Sequence, residues 1–147
     1  MLIVLEGCDG SGKTTIAKHI QSIMPDAEIV HCTRYTPNDF DFFMSLIEAS
    51  KSRNIIADRF CYGQFVYQTA RERHLSDEQL LKLEIAMLEA GAKVIHVVAS
   101  VNELEDRLAL RGEITHPTVA EICDRYLYLF EDDTLIKPYV WWTGGDN

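Results

Sequence analysis

Short apolar runs alternate along this chain with longer stretches in which apolar residues return every three or four positions. The first run, Leu2-Ile3-Val4-Leu5, closes on Glu6 and a glycine, and a run of that length bounded by a turn signal predicts a buried strand. Residues 13–24 have helical spacing, and Pro25 stops them. Residues 28–32 predict a second strand and the polar stretch 33–38 a loop, with Asn38 or Asp39 capping a helix to about residue 51. Ile55-Ile56-Ala57 predicts a third strand that ends at Asp58-Arg59.

Two helices are predicted next, at about 62–73 and 77–90. Ser76 stands three residues ahead of Gln79 as a capping pair, and Gly91 closes the second helix. Residues 93–99 carry the strongest strand signal, a nearly continuous run through Val94, Ile95, Val97 and Val98. Helices at 102–110 and, after Pro117, at 118–130 precede a last strand, Tyr139-Val140-Trp141-Trp142. Five strands separated by helices predict a mainly parallel sheet covered on both faces, a three-layer α/β fold.

The length of 147 residues suits one domain, 1–147, without a linker or repeat. The first apolar run is too short for a signal-peptide core, and no run approaches the roughly 18 residues of a membrane span. A cytoplasmic chain is expected. Four cysteines stand singly, without CxxC spacing, and read as small buried hydrophobes in a reducing compartment. Five histidines lack HxH or HxxxH spacing, so no metal cage built from protein alone is expected. A net charge of −9 disfavours a DNA partner, since nucleic-acid binders usually carry a basic face. A local arginine cluster can still bind phosphate in an acidic protein.

Such chemistry is present at the end of the first strand. Gly7-Cys8-Asp9-Gly10-Ser11-Gly12-Lys13-Thr14 fits G-x-x-x-x-G-K-[ST]. Gly7, Gly10 and Gly12 permit the close turns, and successive N–H groups through Ser11 to Thr15 form an anion-binding concavity at a helix N-terminus. Lys13 is expected to reach the β/γ phosphates of ATP, and the Thr14 hydroxyl to bind Mg²⁺. Asp58, at the carboxyl end of a neighbouring strand, can hold the same Mg²⁺ through water. Arg59 can clamp an acceptor phosphate with two hydrogen bonds. Arg107 and Arg111 lie four apart on one helix face and can neutralise charge on a transferred phosphoryl group, or pair with Glu103 or Glu105 as a solvated face.

The segment Glu6–Thr15 closely resembles the phosphate loop of the thymidylate (dTMP) kinases, including the acidic residue, Asp9, two places after the first glycine. Asp58-Arg59-Phe60 with Tyr67-Gln68 resembles that family's Asp-Arg-aromatic and Tyr-Gln stretch, and Arg107-Leu108-Ala109-Leu110-Arg111-Gly112-Glu113 its arginine-bearing lid, here about 107–117. The short form is similar to phage-type members. The resemblance implies a P-loop kinase fold with a five-stranded parallel sheet. It also implies that Asp9 touches the acceptor sugar's 3′-hydroxyl, that Gln64 meets the pyrimidine edge and that Tyr67 disfavours a ribose. Phe42 or Phe43 would stack on the base and Arg34 would contact acceptor phosphate. Phe42, Phe43 and Tyr67 serve equally well as core residues, and Gln64 and Arg34 as solvated polar groups. Arg71, Arg73 and Arg125 are similar cases.

The chain departs from the family where Thr33-Arg34-Tyr35-Thr36-Pro37 replaces an Arg-Glu-Pro-Gly type motif, and where Gly63 stands in place of the usual Ser. The expected activity is ATP-Mg²⁺-dependent phosphorylation of a deoxynucleoside monophosphate, dTMP or a 5-modified dUMP. The alternative is a kinase acting on a hydroxyl, of a nucleoside or of 5-hydroxymethyluracil in DNA. A third reading is a nucleotide-binding partner protein without turnover. Dimerisation through sheet-flanking helices is usual in the family; Leu80, Leu81, Leu83 and Leu88 can supply apolar area for a homodimer or for the core.

Overall fold

The structure, a computed structural model, describes residues 1–33, 39–113 and 118–144. Arg34, the rest of the 34–38 segment and the 114–117 part of the expected lid lie outside the described residues. The strands are β1 (Leu2–Glu6), β2 (Glu28–His31), β3 (Ile55–Asp58), β4 (Lys93–Val98) and β5 (Tyr139–Trp142). The helices are α1 (Lys13–Ile23), α2 (Phe40–Ala49), α3 (Gly63–Tyr67), α4 (Asp77–Glu89), α5 (Val101–Leu110) and α6 (Val119–Tyr128).

All strand pairs are parallel, in the order β2-β3-β1-β4-β5. Side chains alternate across a strand, so β1 sends Leu2 and Val4 into one apolar layer and Ile3 and Leu5 into the other. Helix α1 covers the second layer with Ile16 and Ala17. The larger layer draws on α2 and α4–α6 through Phe43, Ile47, Leu83, Met87, Leu104, Ile122 and Tyr126. After β3 the chain crosses β1 to begin β4, which leaves a crevice at the carboxyl ends of β1 and β3 where α/β sheets bind ligands.

Caps match the local sequence. Asp39 accepts the Phe42 N–H at the start of α2. Ser76 and Gln79 form a capping box on α4. Ser100 and Thr118 cap α5 and α6.

The helix expected at 62–73 is cut to Gly63–Tyr67. The Val66 carbonyl is taken by Arg125 Nη1 at 2.8 Å, and Gln64 Oε1 accepts the His74 N–H at 2.9 Å, so the chain turns out of the helix instead of extending it. The helix expected at 118–130 gives way to a π-helical turn at Leu129–Asp133. Lys137 Nζ collects the carbonyls of Phe130, Glu131 and Thr134 there. Leu80 and Leu83 belong to the core, whereas Leu81, Ile85 and Leu88 are exposed on α4.

Candidate active site

The turn after β1 is built for close backbone approach. A Cβ on Gly7 would lie 2.3 Å from the Val97 carbonyl oxygen of β4, so only glycine fits. Gly12 caps α1 with φ 103°, in the left-handed region that favours glycine. Between them the Ser11 N–H bonds the Cys8 carbonyl at 3.1 Å, and Lys13 Nζ donates to the carbonyls of Gly7 at 2.8 Å and Cys8 at 3.0 Å. Burial lowers the Lys13 pKa, with Arg59 adding to the effect.

Thr14 and Asp58 meet at the end of the loop. Thr14 Oγ1 donates to Asp58 Oδ2 at 2.9 Å, and His31 Nδ1 lies 3.0 Å from the same oxygen. His31 was not singled out in the sequence; it follows from register, because β2 pairs with β3 so that His31 stands beside Asp58. One hydroxyl and one carboxylate, hard oxygen donors at the end of the phosphate loop, fit a Mg²⁺ ion that takes its other ligands from phosphate and water.

Arg59 occupies the left-handed region at φ 70°, and its N–H donates to the Leu5 carbonyl at 2.8 Å. Its guanidinium bonds the Asp9 carboxylate and lies 4.5 Å over the Tyr67 ring. The Tyr67 hydroxyl in turn accepts the Asp9 N–H at 3.2 Å. Beneath this cluster Glu6 is fully buried, a residue the sequence placed in the motif without a role. Glu6 Oε2 accepts the N–H groups of Phe60 and Gly63, and Oε1 accepts the Tyr126 hydroxyl. Burial pushes its pKa up to about 7, against the opposing pull of Arg59 and the Tyr126 hydrogen bond.

Two clefts join at this point. The first, 230 Å³, is lined by Asp9, Lys13, Thr14, His31, Asp58 and Arg111 among others. The second, 60 Å³, lies between Phe43, Phe60, Gln64, Tyr67 and Gln68. Cys32, Thr33 and Arg59 line both. Among the described residues, Ser11 Oγ, Arg59 Nε and Gln68 Oε1 are buried polar atoms without a hydrogen-bond partner, and two of them belong to residues of the smaller cleft. Phe43 is a core residue that also lines that cleft, with its ring edge-on to Phe60 at 4.9 Å; Phe42 does not line it.

The two lid arginines are placed differently. Arg107 Nη1 donates to the Gly10 carbonyl at 2.9 Å, while Nη2 reaches the Thr143 carbonyl at 2.9 Å and Glu103 at 2.8 Å. It therefore ties the phosphate loop to the exit of β5. Arg111 caps α5, is exposed, and lines both the 230 Å³ cleft and a 570 Å³ cleft bounded by Thr15, His19 and Trp141. Arg73 lies 4.2 Å over the Phe65 ring and Arg71 is exposed, and neither lines the clefts at the phosphate loop.

No protein-family model and no curated protein matches the chain. Solved structures do. The YorR protein from Bacillus subtilis, in complex with phosphorylated GDP, superposes with a TM-score of 0.82 at 27% identity over 97% of this chain and 86% of that one. Deoxyadenosine kinase from M. mycoides with bound dCTP gives 0.57 at 18% identity, covering 99% of this chain and 90% of that one. Thymidylate kinase from Candida albicans gives 0.57 at 15%, covering 99% and 84%. The α/β domain with its five parallel strands has the fold of the P-loop nucleotide kinases.

Proposed function

We propose that the chain transfers the γ-phosphoryl group of ATP to a deoxynucleoside monophosphate, dTMP or a 5-modified dUMP. The observation that carries this reading is the junction of the two clefts at Arg59, with the phosphate loop on one side and an aromatic hollow on the other. A donor triphosphate on the loop and an acceptor phosphate on Arg59 would then share one guanidinium. The YorR protein is in complex with phosphorylated GDP, which supports a nucleotide ligand here.

Catalysis on this reading is positioning and charge neutralisation. The loop amides and Lys13 hold the β- and γ-phosphates. Thr14 would ligate Mg²⁺ directly and Asp58 through water, and the bound ion would neutralise charge on the phosphate oxygens. Arg59 holds the acceptor phosphate so that one of its oxygens attacks the γ-phosphorus in line, while Asp9 receives the sugar hydroxyl. No general base is needed, because that phosphate oxygen is ionised at neutral pH. Arg111 supplies positive charge from the lid side.

A second reading, phosphorylation of a nucleoside or DNA hydroxyl, draws on the Asp9 carboxylate, which is 45% exposed at the cleft and could accept a hydroxyl proton. Steady-state kinetics of Arg59→Ala separate the two. Loss of the phosphate clamp should raise the KM for dTMP and lower kcat, by roughly 10²-fold or more in kcat/KM, with the Kd for ATP nearly unchanged. A variant that changes only ATP affinity would remove Arg59 from the acceptor side.

A further inference from the structure

The 570 Å³ cleft bounded by Thr15, His19 and Trp141 has no part in the chemistry described so far. It runs into the 230 Å³ cleft, since Gly10, Gly12, Thr15 and Arg111 line both. It shares no described lining residue with the 60 Å³ aromatic hollow. A triphosphate on the loop therefore has two separate spaces beside it.

Register makes Trp141 a wall of the larger space. Strand β5 pairs with β4 so that Trp141 stands beside Val97, which belongs to the apolar layer under α1. Alternation along the strand puts Trp142 on the other face, where it lines a different cavity of 380 Å³. Trp141 is 40% exposed, and Ile16 and His19 of α1 line the same cleft.

We propose that this cleft takes the base of the donor nucleotide, stacked on the Trp141 indole and accepted without selection among the bases; the inference rests on the phosphate-loop reading. An indole face attracts every base through its π surface, which gives affinity without a hydrogen-bond code. Telling adenine from guanine needs a fixed donor or acceptor, because an amino group on one base stands where the other has a carbonyl.

No such fixed group faces the base. Among the described residues, the cleft has no carboxylate or carboxamide. Arg107 is committed to the carbonyls of Gly10 and Thr143 and to Glu103, and the Thr143 hydroxyl to the Ser11 carbonyl. Arg111 also lines the phosphate cleft, where triphosphate charge attracts it. Thr15 and His19 remain, both exposed on α1. A hydroxyl and a neutral imidazole each donate and accept, so neither rejects a base.

The test measures binding of ATP, GTP, CTP, UTP and inorganic tripolyphosphate to the full chain with Mg²⁺ by calorimetry, with indole fluorescence read alongside. The four nucleotides should bind within about tenfold of one another and quench emission. Trp141→Ala should weaken all four by about tenfold or more and leave tripolyphosphate binding unchanged, which also reports an intact loop. Trp141→Phe should restore most of the affinity without the quench, because Trp142 lies on the opposite face. A preference for one base beyond that range overturns the inference. So do nucleotide affinities untouched by Trp141→Ala, or an equal loss for tripolyphosphate. In those cases tripolyphosphate bound by the wild-type chain keeps the phosphate-loop reading; a wild-type chain that binds neither nucleotide nor tripolyphosphate overturns both.

Discussion

Thr14 Oγ1 donates a 2.9 Å hydrogen bond to Asp58 Oδ2, joining the last residue of the phosphate loop to the end of β3. His31 approaches the same carboxylate oxygen from β2, so three elements, α1, β3 and β2, converge on one polar point. Asp58 is buried, and the bond from Thr14 gives its carboxylate a fixed direction. Asp58→Asn keeps the shape and removes the charge. It should raise the Mg²⁺ concentration for half-maximal activity by about tenfold and lower kcat at saturating Mg²⁺, as second ligands to a metal commonly do. A Mg²⁺ titration identical to wild type would take Asp58 out of the metal site.

Glu6 makes a pH-dependent prediction about stability. Its pKa is about 7 in the folded chain against an ordinary 4.5. Between those values the native state keeps a proton that the unfolded state has released, so stability from this group falls as pH rises through the window. The full effect corresponds to roughly 3 kcal/mol. Glu6→Gln cannot titrate. Thermal unfolding at pH 5 and pH 8 should therefore show the wild-type Tm falling relative to the variant's as pH rises. A gap that is constant or moves the other way contradicts the assignment.

Arg107 and Arg111 should separate in a way their spacing conceals. Arg107→Ala leaves the carbonyls of Gly10 and Thr143 without that donor, which should cost about 1–3 kcal/mol and raise the KM for ATP. Arg111 is exposed, so Arg111→Ala should leave Tm unchanged while lowering kcat. Thermal melts paired with ATP kinetics check both. Equal loss of stability in the two variants would refute the division of labour.

What the sequence revealed was local. The eight-residue loop, the caps at Asp39 and Ser76, and five strands with their boundaries to within a residue or so all depend on near neighbours. So does the position of Asp58 at a strand end beside the loop, whereas its hydrogen bond from Thr14 came from the structure. Relationships set by packing were not legible. His31 reaches Asp58 through the register of β2 on β3. Arg107 finds Thr143 across 36 residues. Helix α3 is short because Arg125, from α6, takes the Val66 carbonyl. Phe42 and Phe43 could not be told apart until α2 turned one into the core.

The proposed reaction is phosphoryl transfer to a deoxynucleoside monophosphate. Its most direct test is the mass of the product after incubation with ATP-Mg²⁺ and a mixed panel. The panel holds dTMP, dUMP, 5-hydroxymethyl-dUMP, the other deoxymonophosphates, thymidine, and duplex DNA with and without 5-hydroxymethyluracil. A diphosphate from dTMP or a 5-modified dUMP, absent with Lys13→Ala, is the predicted result. Phosphate on a nucleoside or on DNA with the monophosphates untouched, or no product from any acceptor while ATP still binds, would contradict it.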